Sequence, residues 1–168
     1  MNGMRTIAMP RKPPAGVPVG GSPGLTRLAM TATAHCLTGC AIGEILGMVI
    51  GTAAGLSNAV TIGLSILLAF FFGYALTVRA VLKTGLALAA ALPIAFASDT
   101  VSIAVMEVID NAIVVAVPGA MDAGLTSLLF WGSLLVSLAV AFVVTVPVNR
   151  ALISRGKGHA VVHGLHMD

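Results

Sequence analysis

The run Ala34-His35-Cys36-Leu37-Thr38-Gly39-Cys40-Ala41-Ile42-Gly43-Glu44 stands inside an apolar stretch that extends in both directions, over about 28–54. A stretch of roughly 20 apolar residues crosses a bilayer as a helix. This one carries a histidine, two thiols and a carboxylate where leucines are expected. Ionisable groups at bilayer depth are expensive and mark function.

Working outward, three further apolar stretches follow, over about 58–78, 86–117 and 128–149. The chain has 168 residues, of which 58% are hydrophobic and 9% charged, with a mean hydropathy of +1.04. A water-soluble domain of this size needs far more polar surface. The fold class is therefore all-α, a polytopic transmembrane bundle of four helices in the lipid bilayer, with no role in nucleic-acid binding. Residues 1–26, rich in Pro and Gly, read as a disordered tail that cannot bury enough apolar surface to order itself. No short apolar run follows its charges before a small-residue cleavage site, so it does not read as a signal peptide. Residues 27–152 form the four-span domain and 153–168 a basic, His-containing tail.

Charge sets the expected orientation. The basic residues are Arg5, Arg11, Lys12 and Arg27, then Arg79 and Lys83, then Arg150, Arg155 and Lys157. With four spans, these three groups fall on one side, which the positive-inside rule makes the cytoplasm. The expectation is a multi-pass protein of the plasma (inner) membrane with both termini cytoplasmic. Cys36 and Cys40, four apart on one helix in its cytoplasmic half, do not form a disulfide framework.

Span 1 also carries Gly39, Gly43, Gly47, Gly51 and Gly55. Residues four apart share nearly one helix face, and glycine lets a second backbone approach closely. This ribbon seats either another helix of the same chain or a partner, whether a second copy or another membrane protein. Cys36, Cys40 and Glu44 flank it on one side. His35 lies about 100° from Cys36, on the other flank, so His35 and Glu44 cannot share one small ligand unaided.

Span 2 reads as nearly featureless, with Phe70-Phe71-Phe72 facing lipid and Tyr74 and Arg79 as interface anchors. Span 3 is the anomaly. It is longer than a bilayer requires, contains Pro93, and is interrupted by Ser98-Asp99-Thr100. A long tilted helix is the simplest reading, and a broken one the alternative. Asp99, Ile103, Met106 and Asp110 share one stripe, with Glu107 beside it. Glu44 and Asp99 are expected at similar depth, each roughly 20–25 Å from the start of its span.

No Lys or Arg lies well inside any span to meet these acids. An ionised carboxylate in hydrocarbon requires a partner. That partner is a proton, a metal ion, another subunit or entering water. Thiolate and imidazole are ligands of copper(I) and zinc, and i, i+4 spacing brings two sulfurs to one ion. His35, Cys36, Cys40 and Glu44 are thus candidate metal ligands. Asp99, Met106, Glu107 and Asp110 are candidate pathway residues. His159, His163 and His166 form a weaker ligand set in the tail, where Gly156, Gly158 and Gly164 oppose a helix. Equally, cysteine packs as a small hydrophobe, methionine fills gaps, and a protonated acid bonds a neighbouring helix.

The order His35-Cys36-Leu37-Thr38-Gly39-Cys40, Asp99-Thr100-Val101-Ser102-Ile103, Met106-Glu107, Asp110-Asn111, Pro118-Gly119-Ala120-Met121-Asp122, Phe130-Trp131, Val148-Asn149-Arg150 and Gly156-Lys157-Gly158-His159-Ala160 resembles an uncharacterised family of small bacterial and archaeal membrane proteins. The resemblance covers about 30–165 and implies a compact helical membrane domain. It implies no activity, cofactor or catalytic residue.

Three functions are expected from the residues. The first is handling of a soft or borderline metal ion, such as copper or zinc, through a polar core between spans 1 and 3. The second is a proton or solute pathway using Glu44 and Asp99. The third is a non-catalytic assembly subunit built on the Gly39–Gly55 ribbon. Catalysis is not expected, because no nucleophile-base motif or cofactor fingerprint is present.

Overall fold

The computed structural model describes residues 23–83 and 85–155. Its order is α1 (Pro23–Ala53), α2 (Asn58–Leu82), α3 (Leu88–Ala116) and α4 (Leu128–Ser154). All four helices are long and apolar enough to cross a membrane, which makes this a multi-pass membrane protein of the expected class.

The helix boundaries follow local chemistry. Pro23 opens α1, where a missing N–H is tolerated and the fixed φ favours a helix. The helix therefore begins inside the segment expected to be disordered, whose residues 1–22 lie outside the described region. At its other end Gly55 takes φ +63°, and Leu56 N donates to Gly51 O at 2.9 Å, the glycine-stopped ending seen in many helices. Gly55 is thus a terminator and not a member of the packing ribbon. α3 runs unbroken through Pro93, in its second turn, so the broken-helix alternative is not realised. Ser98 does not cap a half-helix. Its Oγ lies 2.8 Å from Asp99 Oδ1, which it can donate to, and 3.2 Å from Ala95 O. Ser127 caps α4 by accepting from Leu129 N at 3.2 Å, and Trp131 Nε1 donates to Leu125 O at 2.8 Å, fastening the α3–α4 connection.

Each helix packs antiparallel on its sequence neighbour, and α4 closes the ring on α1. α1 and α3 face each other across the diagonal, in contact at the polar core expected between them. They meet where Cys36, Cys40 and Glu44 of α1 approach Asp99, Glu107 and Asp110 of α3.

The tightest pair is α1 with α2. A Cβ on Gly39 would lie 2.6 Å from the Gly73 Cα, one on Gly43 would collide with the backbone of Ala69, one on Gly47 with Ser65, and one on Gly51 with the side chain of Thr61. Each four-residue step along α1 is matched by four residues backward along α2. The ribbon is therefore filled by the chain's own second helix, which leaves no room there for a second copy or another protein. The same register sets Leu82 opposite Met30, so α1 extends beyond α2 by about 10 Å.

The bundle is inverted relative to a water-soluble one. Its outer surface exposes Leu67 (70%), Val108 (69%) and Val143 (69%), whereas the buried positions include Thr33, Ser65, Thr77, Ser102, Ser137 and Thr145. Apolar side chains gain nothing by leaving lipid, so small and polar residues collect where helices touch. Phe71 faces outward as expected, but Phe70 packs against the buried cluster containing Cys36, Cys40 and Met106. Tyr74 is not an interface anchor: its hydroxyl is 2.9 Å from Thr100 Oγ1 and its ring packs at a tilt of 56° with its centre 4.5 Å from that of Phe96, joining α2 to α3.

Candidate functional site

The polar face of α1 meets the acidic stripe of α3 as a ladder. Both helices run in the same direction, so successive residues pair in order. Cys36 lies near Asp99. Cys40 lies beside Glu107, with Glu44 next to it. Glu44 lies beside Asp110, with Glu107 beyond. Glu44, Asp99, Glu107 and Asp110 are each at most 4% exposed.

This arrangement corrects the expected depth. Asp99 belongs with Cys36, not with Glu44, and the two acids are separated by about 12 Å along the bundle. The reason is the overhang of α1, which starts earlier than expected and shifts all its residues relative to α3. The four candidate ligands on α1 therefore do not close one site. His35 departs further still, lining a pocket on the outer side of the α1–α2 pair with Arg79 and Lys83.

Polar satisfaction is uneven along the ladder. Asn111 Nδ2 donates to Glu107 O at 2.9 Å and reaches Glu107 Oε2 at 3.4 Å. Glu44 and Asp110 lie within side-chain hydrogen-bonding reach of each other, and Glu107 lies within reach of the Cys40 thiol, whereas no Lys or Arg among the described residues bonds any of the three acids. Glu44 and Asp110 line a small cavity of about 20 Å³, with Met48, Ser65, Asn111 and Met121 among its walls. That volume admits roughly one or two waters. Adjacent buried carboxyls within hydrogen-bonding reach of one another, next to space for water, can hold and exchange protons or bind a small cation.

No described Lys or Arg enters this region. Arg27 is near the start of α1, Arg79 and Lys83 are at the end of α2, and Arg150 and Arg155 are at the end of α4, which up-and-down connectivity places at one end of the bundle. At the opposite end Asn58 Nδ2 donates to Asp122 Oδ1 at 3.2 Å, latching the start of α2 to the α3–α4 connection.

Sequence reasoning missed a second polar group nearer the basic end. Asn149 of α4 accepts from Ser102 Oγ of α3, and its Nδ2 donates to Thr33 Oγ1 of α1 at 2.8 Å. Thr33 Oγ1 in turn donates to Ala29 O at 2.8 Å. Three helices are tied by one side chain. The available signal was a carboxamide within an otherwise apolar fourth span, since such a group demands partners in lipid.

For a metal, Cys36 and Cys40 are free thiols, packed in one buried cluster with Met106. Among the described residues, no three His, Cys, Asp or Glu side chains are placed to share an ion. His159, His163 and His166 lie outside the described residues.

A model of the family described as Domain of unknown function (DUF4396) matches residues 27–158. No curated protein and no solved structure matches the chain.

Proposed function

We infer that this chain, which belongs to the family described as Domain of unknown function (DUF4396), is a membrane protein that passes protons through the interior of its four-helix bundle. The observation carrying this reading is Glu44: a carboxyl 4% exposed, within side-chain hydrogen-bonding reach of Asp110 with Glu107 beyond, and at the wall of a water-sized cavity. A buried carboxylate needs a countercharge, and no Lys or Arg among the described residues is near. A proton is the smallest cation that meets the need, and three neighbouring carboxyls permit its transfer. Asp99 with Ser98 forms a further step toward the basic end. The positive-inside rule supports placing that end, and both termini, in the cytoplasm, with the plasma (inner) membrane as the site of action.

The test is proton flux in proteoliposomes carrying an internal pH-sensitive dye, driven by a potassium diffusion potential. Flux above that of empty liposomes is expected for the native chain and its loss for Glu44→Gln. Native flux equal to empty liposomes overturns the reading.

A second reading, handling of a soft ion such as copper(I) or zinc, is favoured by the shared burial of Cys36, Cys40 and Met106. Thiolate and thioether are soft donors, and Glu107 beside Cys40 would take up the thiol proton released on binding. His35 falls outside this set. The assembly-subunit reading loses its surface, because α2 fills the glycine ribbon.

A further inference from the structure

His35 was singled out as a metal ligand, yet it turns away from the polar core. It lines a pocket of about 360 Å³ whose other walls are Leu76, Arg79, Ala80 and Lys83 of α2. His35 belongs to α1, Leu76, Arg79 and Ala80 to α2, and Lys83 caps the end of α2; neither α3 nor α4 contributes, so the pocket opens on the outer face of the bundle. The Gly39–Gly73 register sets His35 opposite Thr77. Arg79 and Lys83 lie successively nearer the basic end, and Lys83 is about 9 Å along the axis from Thr77. The pocket thus has a depth order, with imidazole at its inner end and two exposed cations toward its rim.

We propose that this α1–α2 pocket binds a phosphate-bearing anion, the headgroup of an anionic phospholipid, through Arg79 and Lys83 with His35 at its base. Arg79 and Lys83 are four apart and point from the same face of α2, so both reach one anion. A guanidinium fork grips phosphate oxygens in two places, and an ammonium adds a point charge. Imidazole supplies an N–H in either charge state. Leu76 and Ala80 give the pocket an apolar wall on the same helix face, suited to the upper part of an acyl chain. Basic pockets between membrane helices at the positively charged end are the setting in which anionic headgroups are bound. This site is separate from the carboxyl ladder and does not depend on proton conduction.

The full chain, purified in a mild non-ionic detergent, is titrated with phosphatidylglycerol or phosphatidylcholine and examined by native mass spectrometry. Retention of phosphatidylglycerol over phosphatidylcholine is expected. Arg79→Gln/Lys83→Gln is expected to reduce that retention about tenfold, in line with loss of two charge-assisted contacts. Arg79→Lys/Lys83→Arg preserves charge and is expected to retain most of it, and Arg155→Gln, at the same end but outside the pocket, to leave it unchanged. Competition by millimolar inorganic phosphate identifies the ligand as the phosphate group alone. Its failure to compete identifies the intact lipid. Either result supports the site. Equal retention by Arg79→Gln/Lys83→Gln and the native chain, or an equal loss in Arg155→Gln, overturns it.

Discussion

Asn149 Nδ2 donates to Thr33 Oγ1 at 2.8 Å, tying the last turns of α4 to the first half of α1 across 116 residues of sequence. The same carboxamide accepts from Ser102 of α3. One side chain therefore fixes three helices at the end of the bundle where the basic residues lie. In lipid each interhelical hydrogen bond contributes about 0.6 kcal/mol on average and up to about 1.7. Asn149→Ala is expected to lower stability by about 1–3 kcal/mol, because two such bonds are lost together. Thr33→Val removes one bond and is expected to lose about half as much. Denaturation by graded SDS in mixed micelles reads both, and an Asn149→Ala midpoint equal to that of the native chain would refute the bridge.

The α1–α2 contact is tested by comparing two glycines. A Cβ on Gly43 meets the backbone of Ala69, whereas one on Gly63 meets nothing within 4 Å. Gly43→Ala must push the helices apart, at a cost of about 1–3 kcal/mol typical of overpacking. Gly63→Ala adds helix propensity without a clash, so a gain of up to about 1 kcal/mol is expected. Equal effects of the two substitutions in the same micellar titration would show that the helices are not in backbone contact at Gly43.

Cys36 and Cys40 are 2% and 1% exposed. Their alkylation requires local opening of the bundle. A membrane-permeant maleimide is expected to label both roughly tenfold or more slowly in the folded protein than in SDS. Rapid labelling of Cys36 alone would mean that water enters between the basic end and Asp99, and would place the closed point of the pathway nearer Glu44.

The class of the fold was legible because bilayer thickness dictates segment length, and four segments of the right length stand between loops lacking apolar continuity. The glycine spacing likewise announced a close helix contact. Its partner was hidden, since Gly73, Ala69, Ser65 and Thr61 share only small size and a four-residue interval that many spans display. Depth was misread at Asp99 for a different reason. A residue's position along a helix is legible, but where neighbouring helices begin relative to one another depends on packing. Pro23 begins α1 earlier than composition suggested, and this moved Glu44 from Asp99 to Asp110. Asn149 was overlooked because its neighbour Arg150 made the segment read as the membrane boundary. The separation of His35 from Cys36 was legible, since one residue turns a helix by about 100°, but the α1–α2 pocket it lines was not.

The two readings of the core separate cleanly on which residues each one needs. Proton passage needs exchangeable carboxyls. Glu44→Gln and Asp110→Asn keep shape and remove the titrating group, so each is expected to reduce proton flux at least roughly tenfold, the effect of losing one essential transfer step. Cys36→Ser/Cys40→Ser replaces two thiols that carry no proton in this scheme, and flux is expected to stay within about twofold, as for a near-isosteric change outside the transfer path. Soft-ion handling reverses the pattern. Metal retained after reconstitution with copper(I) or zinc would disappear in the double cysteine variant and persist in Asp110→Asn, because sulfur rather than oxygen dominates affinity for such ions. Measuring flux and bound metal on the same four preparations decides between them. Undiminished flux in Glu44→Gln removes the carboxyl pathway, and loss of flux in the cysteine variant alone transfers the function to Cys36, Cys40 and Met106.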